Sequence, residues 1–301
     1  MNWAKVLLLL GALLLTKPSL ACVQCNCGDP TIAALGVEQP YRNRLRLALD
    51  ERVSSHTMGA VDPMSTRVLR STLHVLWAPH SRVLLSAALP WLAVWTAPTG
   101  VGFRQPRAIT GLGDLELTGR FVVFRDRRFS PRHLLAITAG LKTPTGPRVK
   151  DDNGYPLPED EQPGSGSWDP LIGVSHAWLS GELASIVTAA SYRHGTTGRR
   201  GEQRGGVFLG LTQVQLQPLS RLAIAGGIEV THRRPDRFAT DTDQAKPDSG
   251  GTVVWFAPAL LIAPTPSLVI RIGATIPMGR WLYGTQREGP QAQVALAWDV
   301  H

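Results

Sequence analysis

About twelve short segments, each alternating between two kinds of residue, run from Asn43 to His301, as the wall of a β-barrel must with one face to lipid and one inward. No helix-length apolar run follows residue 21. A bilayer core offers backbone groups no hydrogen-bond partners, so only helices or closed barrels cross it. The fold expected is therefore all-β: a transmembrane outer-membrane barrel of about twelve antiparallel strands.

The last segment shows the period best. Ala292, Val294, Leu296, Trp298 and Val300 share one face, and Gln291, Gln293, Ala295, Ala297 and Asp299 the other. Around 220–233, Leu222, Ile224, Ile228 and Val230 alternate with Arg221, Ala223, Ala225 and Glu229. Around 267–277, Ile270, Ile272 and Ile276 alternate with Arg271, Gly273 and Thr275. The set expected to face inward is small, polar or charged. A soluble sandwich would invert this, and alternation alone does not say which face is inside.

The connections separate the two. Short turns are expected at Trp77–Ser81, Asp126–Pro131, Ser180–Glu182, Gln217–Ser220 and Pro264–Pro266. Long loops are expected at Ser54–Thr66, Thr96–Gly111, Lys142–Ser167, His194–Gly205, Arg233–Gly250 and Met278–Gly289. Long and short alternate along the chain, the asymmetry of outer-membrane barrels with short periplasmic turns and long outer loops. Pro90 and Pro258 fall inside apolar strands, where each removes a ladder donor and calls for a bulge. The segment 205–217 carries apolar residues on both faces.

The N-terminus reads as an export signal over residues 1–21: Lys5, an apolar run Val6–Leu15, and the small-x-small site Ser19-Leu20-Ala21. Its removal takes two lysines, lowering the formal charge of +8 to +6. That charge is scattered as arginine and not gathered on one patch, which argues against a nucleic-acid partner. Residues 22–42 then hold all three cysteines, Cys22, Cys25 and Cys27, before a barrel over 43–301. Close thiolates suit a soft metal such as Cu(I), whereas Zn needs a fourth ligand. Lipidation of Cys22 and a Cys25–Cys27 redox pair remain open alternatives.

Two motifs carry a resemblance. Gly111-Leu-Gly-Asp114-Leu-Glu-Leu-Thr-Gly-Arg120-Phe is followed by Gly140-Leu-Lys-Thr-Pro-Thr-Gly146, which Ile276-Pro-Met-Gly279 echoes. They resemble the outer-membrane transporter-like family linked to the meta-pathway of phenol degradation. The resemblance implies an outer-membrane barrel taking up small, often hydrophobic molecules, without established catalytic residues. From the residues themselves, Gly111 and Gly113 permit a tight backbone where a strand begins, and Asp114 can accept from nearby amides.

Parity turns a charged set inward: Arg44, Arg46, Asp50, Arg70, Asp114, Glu116, Arg120, Arg193, Arg221, Glu229, Arg271 and Asp299, with Arg52 and His74. Inward arginines can set anion selectivity, or they can cross-pair with acids and fill a barrel of this width. Trp77, Trp91, Trp95, Trp168, Trp178, Trp255, Trp281 and Trp298 suit aromatic girdles at the two interfaces. The histidines are scattered and no Gly-x-Ser-x-Gly elbow occurs, so no enzyme is expected. Asp151-Asp152-Asn153 and Glu159-Asp160-Glu161 match no calcium-loop spacing and read as solvated surface. The function expected is a channel or transporter-like barrel for small-molecule solutes in the outer-membrane lipid of a Gram-negative bacterium. The alternative is a membrane-anchored metal-binding or redox protein that uses the barrel as scaffold.

Overall fold

Alternating residues with long ladders between them can satisfy every backbone group only if the sheet closes on itself. A computed structural model of the protein shows that closure. It describes residues 43–300, apart from 60–62, 100–105, 129–130, 151–153, 156, 158–161, 181–182, 199–200, 220, 239–244 and 247. The strands are β1 (Arg44–Met58), β2 (Met64–His80), β3 (Val83–Pro98), β4 (Arg107–Leu112), β5 (Glu116–Arg125), β6 (His133–Lys142), β7 (Asp169–Ser180) and β8 (Ala184–Arg193). There follow β9 (Val207–Leu219), β10 (Leu222–Arg233), β11 (Gly251–Phe256), β12 (Ala259–Thr265), β13 (Leu268–Leu282), β14 (Arg287–Glu288) and β15 (Gln291–Val300). β4 and β5 are two pieces of one wall stave, as are β11 with β12 and β14 with β15. Among the described residues the wall is thus a closed, antiparallel barrel of twelve staves. The last joins the first, with Arg46 opposite Asp299 and Leu49 opposite Leu296.

The outer face is a band of exposed apolar side chains that includes Leu49, Leu73, Ile137, Ile172, Ile224, Ile272 and Leu296. Water would not tolerate so continuous a surface; lipid does. Trp77, Phe124 and Trp298 stand exposed near the short-turn end, and Trp91, Trp95, Trp168 and Trp281 toward the other. Trp255 departs from the girdle expected of it. It lies on the inward face of β11, packed with Val253 and only 3% exposed.

The connections depart from expectation at two places. β1 runs on to Met58 and pairs residue for residue with β2 as far as Met64. β13 likewise reaches Leu282, while Arg287–Glu288 ladders with His56–Thr57. Two expected long loops therefore shrink to 59–63 and 283–286. Ser54–Thr57 read as loop because they are polar, but a ladder that rises past the lipid needs no apolar face. These strands, at 15 to 17 residues, exceed the roughly ten that cross a bilayer. The long connections that remain are 99–106, 143–168, 194–206 and 234–250, all at the end away from Arg44 and Val300.

The prolines are accommodated in two ways. The carbonyl of Pro90 accepts from the Gly113 N–H at 2.7 Å, so its missing donor faces the gap between β4 and β5. That gap is a one-residue register shift, the bulge expected. Pro258 has none. β11 and β12 keep one register against β10 and β13 across it, and its carbonyl still accepts from Ala274 at 3.1 Å. The expected bulge lies instead at Val254/Trp255.

The inward face is less uniformly polar than expected. Val122, Leu134, Ala136, Ala177 and Val187 form one buried cluster inside the barrel, and Val68, Leu92 and Val94 another. This resolves β9. Val207, Leu209 and Leu211 are buried inside, while Phe208, Val214 and Leu216 meet lipid outside.

Candidate functional site in the barrel interior

At the short-turn end of the interior, Arg46 grips Asp299 with a two-pronged bond, Nε to Oδ1 at 2.8 Å and Nη2 to Oδ2 at 3.0 Å. Arg44 joins the same carboxylate, Nε to Oδ1 at 2.8 Å. Farther along, Gln293 Nε2 donates to Asp50 Oδ1 at 2.7 Å, and Arg52 lies 3.8 Å from the same carboxylate. Arg70 Nε reaches Thr72 Oγ1 at 3.3 Å. Arg193 and Glu116 form an ion pair across the interior, although their strands are not neighbours in the sheet. Arg271 is 2% exposed, with Nη2 3.5 Å from Gln213 Oε1. Glu229 is half-buried and accepts from Thr231 Oγ1 at 3.4 Å. Arg221 stands apart: it is exposed in the turn before β10, outside this belt.

The two sequence motifs meet. Asp114 lies in the β4–β5 gap and is buried. Its Oδ1 accepts from the Gly146 N–H at 2.9 Å, and its Oδ2 from both the N–H and the hydroxyl of Ser165, each at 2.6 Å. Leu115 N–H donates to Thr145 Oγ1 at 2.8 Å, and Thr143 N–H to the Leu115 carbonyl at 2.8 Å. Lys142 sits 3.8 Å from Asp114 and pairs with Asp169. A carboxylate bonded by three donors is a strong local anchor. It needs glycine around it: a Cβ on Gly146 or Gly164 would lie 3.0 or 2.7 Å from Asp114 Oδ1.

The anchored segment belongs to the connection 143–168, and its residues 162–167 fold inward. Gln162, Ser165 and Ser167 are buried, and the Pro163 carbonyl lies against Gly113 beside the inward-facing Pro90 and Leu92. Gln162 braces the segment, donating to the Val149 and Leu157 carbonyls at 2.8 and 3.1 Å. The acidic runs 151–153 and 159–161 fall outside the described residues. The connections 194–206 and 234–250 hold each other through bridges Thr197–Gln203, Gln203–Arg237 and Arg237–Ala245. Asp236, paired with Arg233, also accepts from Gly205 N–H at 2.8 Å.

Between the charged belt and the apolar cluster lies a cavity of about 130 Å³. Its walls include His74, Leu84, Glu116, Arg120, Val187 and Ser191. Sequence parity alone did not point to Ser175, Ser191 or this cavity, because small hydroxyls give no periodic signal.

Among the described residues no three of His, Cys, Asp and Glu come together as metal ligands. Cys22, Cys25 and Cys27, the proposed Cu(I) or Zn ligands, and the export signal lie outside the described residues. His133 and His176 stack on the outer face with ring nitrogens 3.2 Å apart.

No protein-family model matches the sequence, and no curated protein matches it. The solved structures give the class. An outer-membrane channel from Pseudomonas putida F1 superposes with a TM-score of 0.67 at 12% identity, over 86% of this chain and 96% of that one. Looser likenesses include the P. putida toluene transporter TodX (TM-score 0.48, 9% identity, 95% and 96% covered). Another is the translocator domain of the autotransporter NalP from Neisseria meningitidis (0.49, 10%, 89% and 92%). The fold is that of an outer-membrane β-barrel.

Proposed function

We propose that this barrel is a channel of a Gram-negative outer membrane that passes small solutes through an interior narrowed from within. One observation carries the reading: the packed side chains inside the wall leave a cavity open, while toward the long connections Asp114 fastens residues of the segment 143–168. An interior built only for stability would close that space, since protein cores pack with few voids larger than water. The motif resemblance to transporter-like barrels supports the same reading, because its two halves build the anchor. Short turns then face the periplasm and the long connections face outside.

The charge on the path favours anions. Arg44, Arg46, Arg52, Arg70, Arg120, Arg193 and Arg271, with Lys142, outnumber the acids Asp50, Asp114, Glu116, Asp169, Glu229 and Asp299 on the inner face by two, and inward cations attract anions. The test is swelling of liposomes that hold the refolded protein, in isotonic solutions of small solutes. Swelling that falls with solute size and favours small carboxylates over equal-sized amines supports the proposal. No swelling with any solute, by folded protein, rejects it.

A further inference from the structure

The cavity is amphipathic, and its polar groups are waiting for something. Arg120 Nε, Ser175 Oγ and Ser191 Oγ are buried with no protein hydrogen-bond partner among the described residues. All three residues line this one cavity. Buried polar groups are nearly always satisfied, so three orphans around one space need a reason. A guanidinium nitrogen buried without a partner is the costliest of them.

The register shows how the site is built. One row of inward residues runs Leu84, Arg120, Thr138, Gly173, Ser191, Leu209 across β3, β5, β6, β7, β8 and β9. Gly173 leaves the gap in that row. A Cβ there would sit 3.0 Å from the Ala190 carbonyl and 3.1 Å from Ser191 Cβ. The next row toward the short turns holds Val122, Ala136 and Ser175, backed by Ala177 and Val187. Arg120 therefore stands where a charged belt above meets an apolar floor below. Glu116 also faces the cavity, four residues along β5, but its carboxylate is taken by Arg193. His74 closes the side toward β2.

We infer that this cavity binds a small monocarboxylate whose apolar body is about one ring in size. The carboxylate takes the guanidinium of Arg120 and the hydroxyls of Ser175 and Ser191. The body lies on Ala177 and Val187. The volume sets the limit, since a cavity of about 150 Å³ holds one benzene. An inorganic anion would leave the apolar floor unused, and a neutral ring would leave Arg120 Nε unpaired. The inference rests on the channel reading for its biological sense but not for its test.

The experiment is equilibrium binding to the purified barrel in detergent micelles, with three probes: benzoate, its neutral isostere benzamide, and acetate. Benzoate should bind at least about tenfold more tightly than either, as expected for one charge-assisted bond and one buried ring. Arg120→Gln should remove the preference over benzamide, and the Ser175→Ala, Ser191→Ala pair should weaken benzoate several-fold. Arg120→Gln deletes a buried charge whose Nε has no partner among the described residues, so heat-resistant migration on gels should persist. Should that variant fail to fold, the wild-type ratios still decide. Equal affinity for benzoate and benzamide, or for benzoate and acetate, overturns the inference. Benzoate binding by a barrel that passes no solute would overturn the channel reading and leave this site standing. Solute passage with equal benzoate and benzamide affinity would do the reverse.

Discussion

At the scale of the residue, Asp114 ties the two sequence motifs together. Asp114→Ala removes three donor contacts and leaves Lys142 with Asp169 and the Ser165 hydroxyl. Breaking a buried charge network of this kind costs about 3–5 kcal/mol. The cost should fall on the docking of 143–168 and not on the wall, so protease should cut near Gly154 while the barrel stays heat-resistant. A barrel that unfolds outright would show that Asp114 supports the wall itself. Asp299→Asn belongs at the same scale. It weakens the carboxylate shared by Arg44 and Arg46, and should lower unfolding stability by about 3 kcal/mol. Asp126 gives the pH dependence. It lies in the turn between β5 and β6, where the backbone N–H groups of His133 and Arg132 donate to Oδ1 at 3.0 and 2.9 Å and hold its carboxyl below the usual 3.8. Folding thus favours the charged form. Its contribution is complete above that ordinary value and is lost as pH falls through the lower, folded one. Amide exchange at Arg132 and His133 should lose protection in that acid window, and Asp126→Asn should abolish the pH dependence. Parity was enough to foresee that Arg46, Asp50, Arg271 and Asp299 turn away from lipid. The partners were not legible, because Arg193 and Glu116 meet across the barrel from strands far apart in sequence.

At the scale of the element, the wall was legible because its alternation has a period of two and each stave repeats it. What the sequence concealed was where staves stop. Ser54–Met58 and Met278–Leu282 lack the apolar face that marks a strand in lipid, yet the ladder continues through them. Nor could polarity tell an inward-folded connection from a solvated one, since both are rich in Gly, Pro and Ser. Only the pairing of Asp114 with Gly146 and Ser165 separates them. The topology makes a direct prediction: an epitope inserted beside Gly154 should be reached by antibody on intact cells. One inserted at 266–267, between β12 and β13, should be reached only after the outer membrane is opened. The opposite labelling would invert the barrel.

At the scale of the whole molecule, the interior has two characters. Toward the short turns apolar clusters and the Arg44–Arg46–Asp299 group line and narrow it. Farther along it keeps a cavity, an excess of arginine and an inward-folded segment held at one anchor. A barrel meant only as a scaffold needs the first and not the second. The central claim is that solutes cross this interior and that 143–168 narrows their path. The measurement that bears on it most directly is single-channel current through the refolded protein, wild type against Asp114→Ala, with the reversal potential in a salt gradient. The account predicts a small, anion-preferring conductance in the wild type and a several-fold larger one when the anchor is removed. No current from either folded protein, or a cation preference in both, would contradict it.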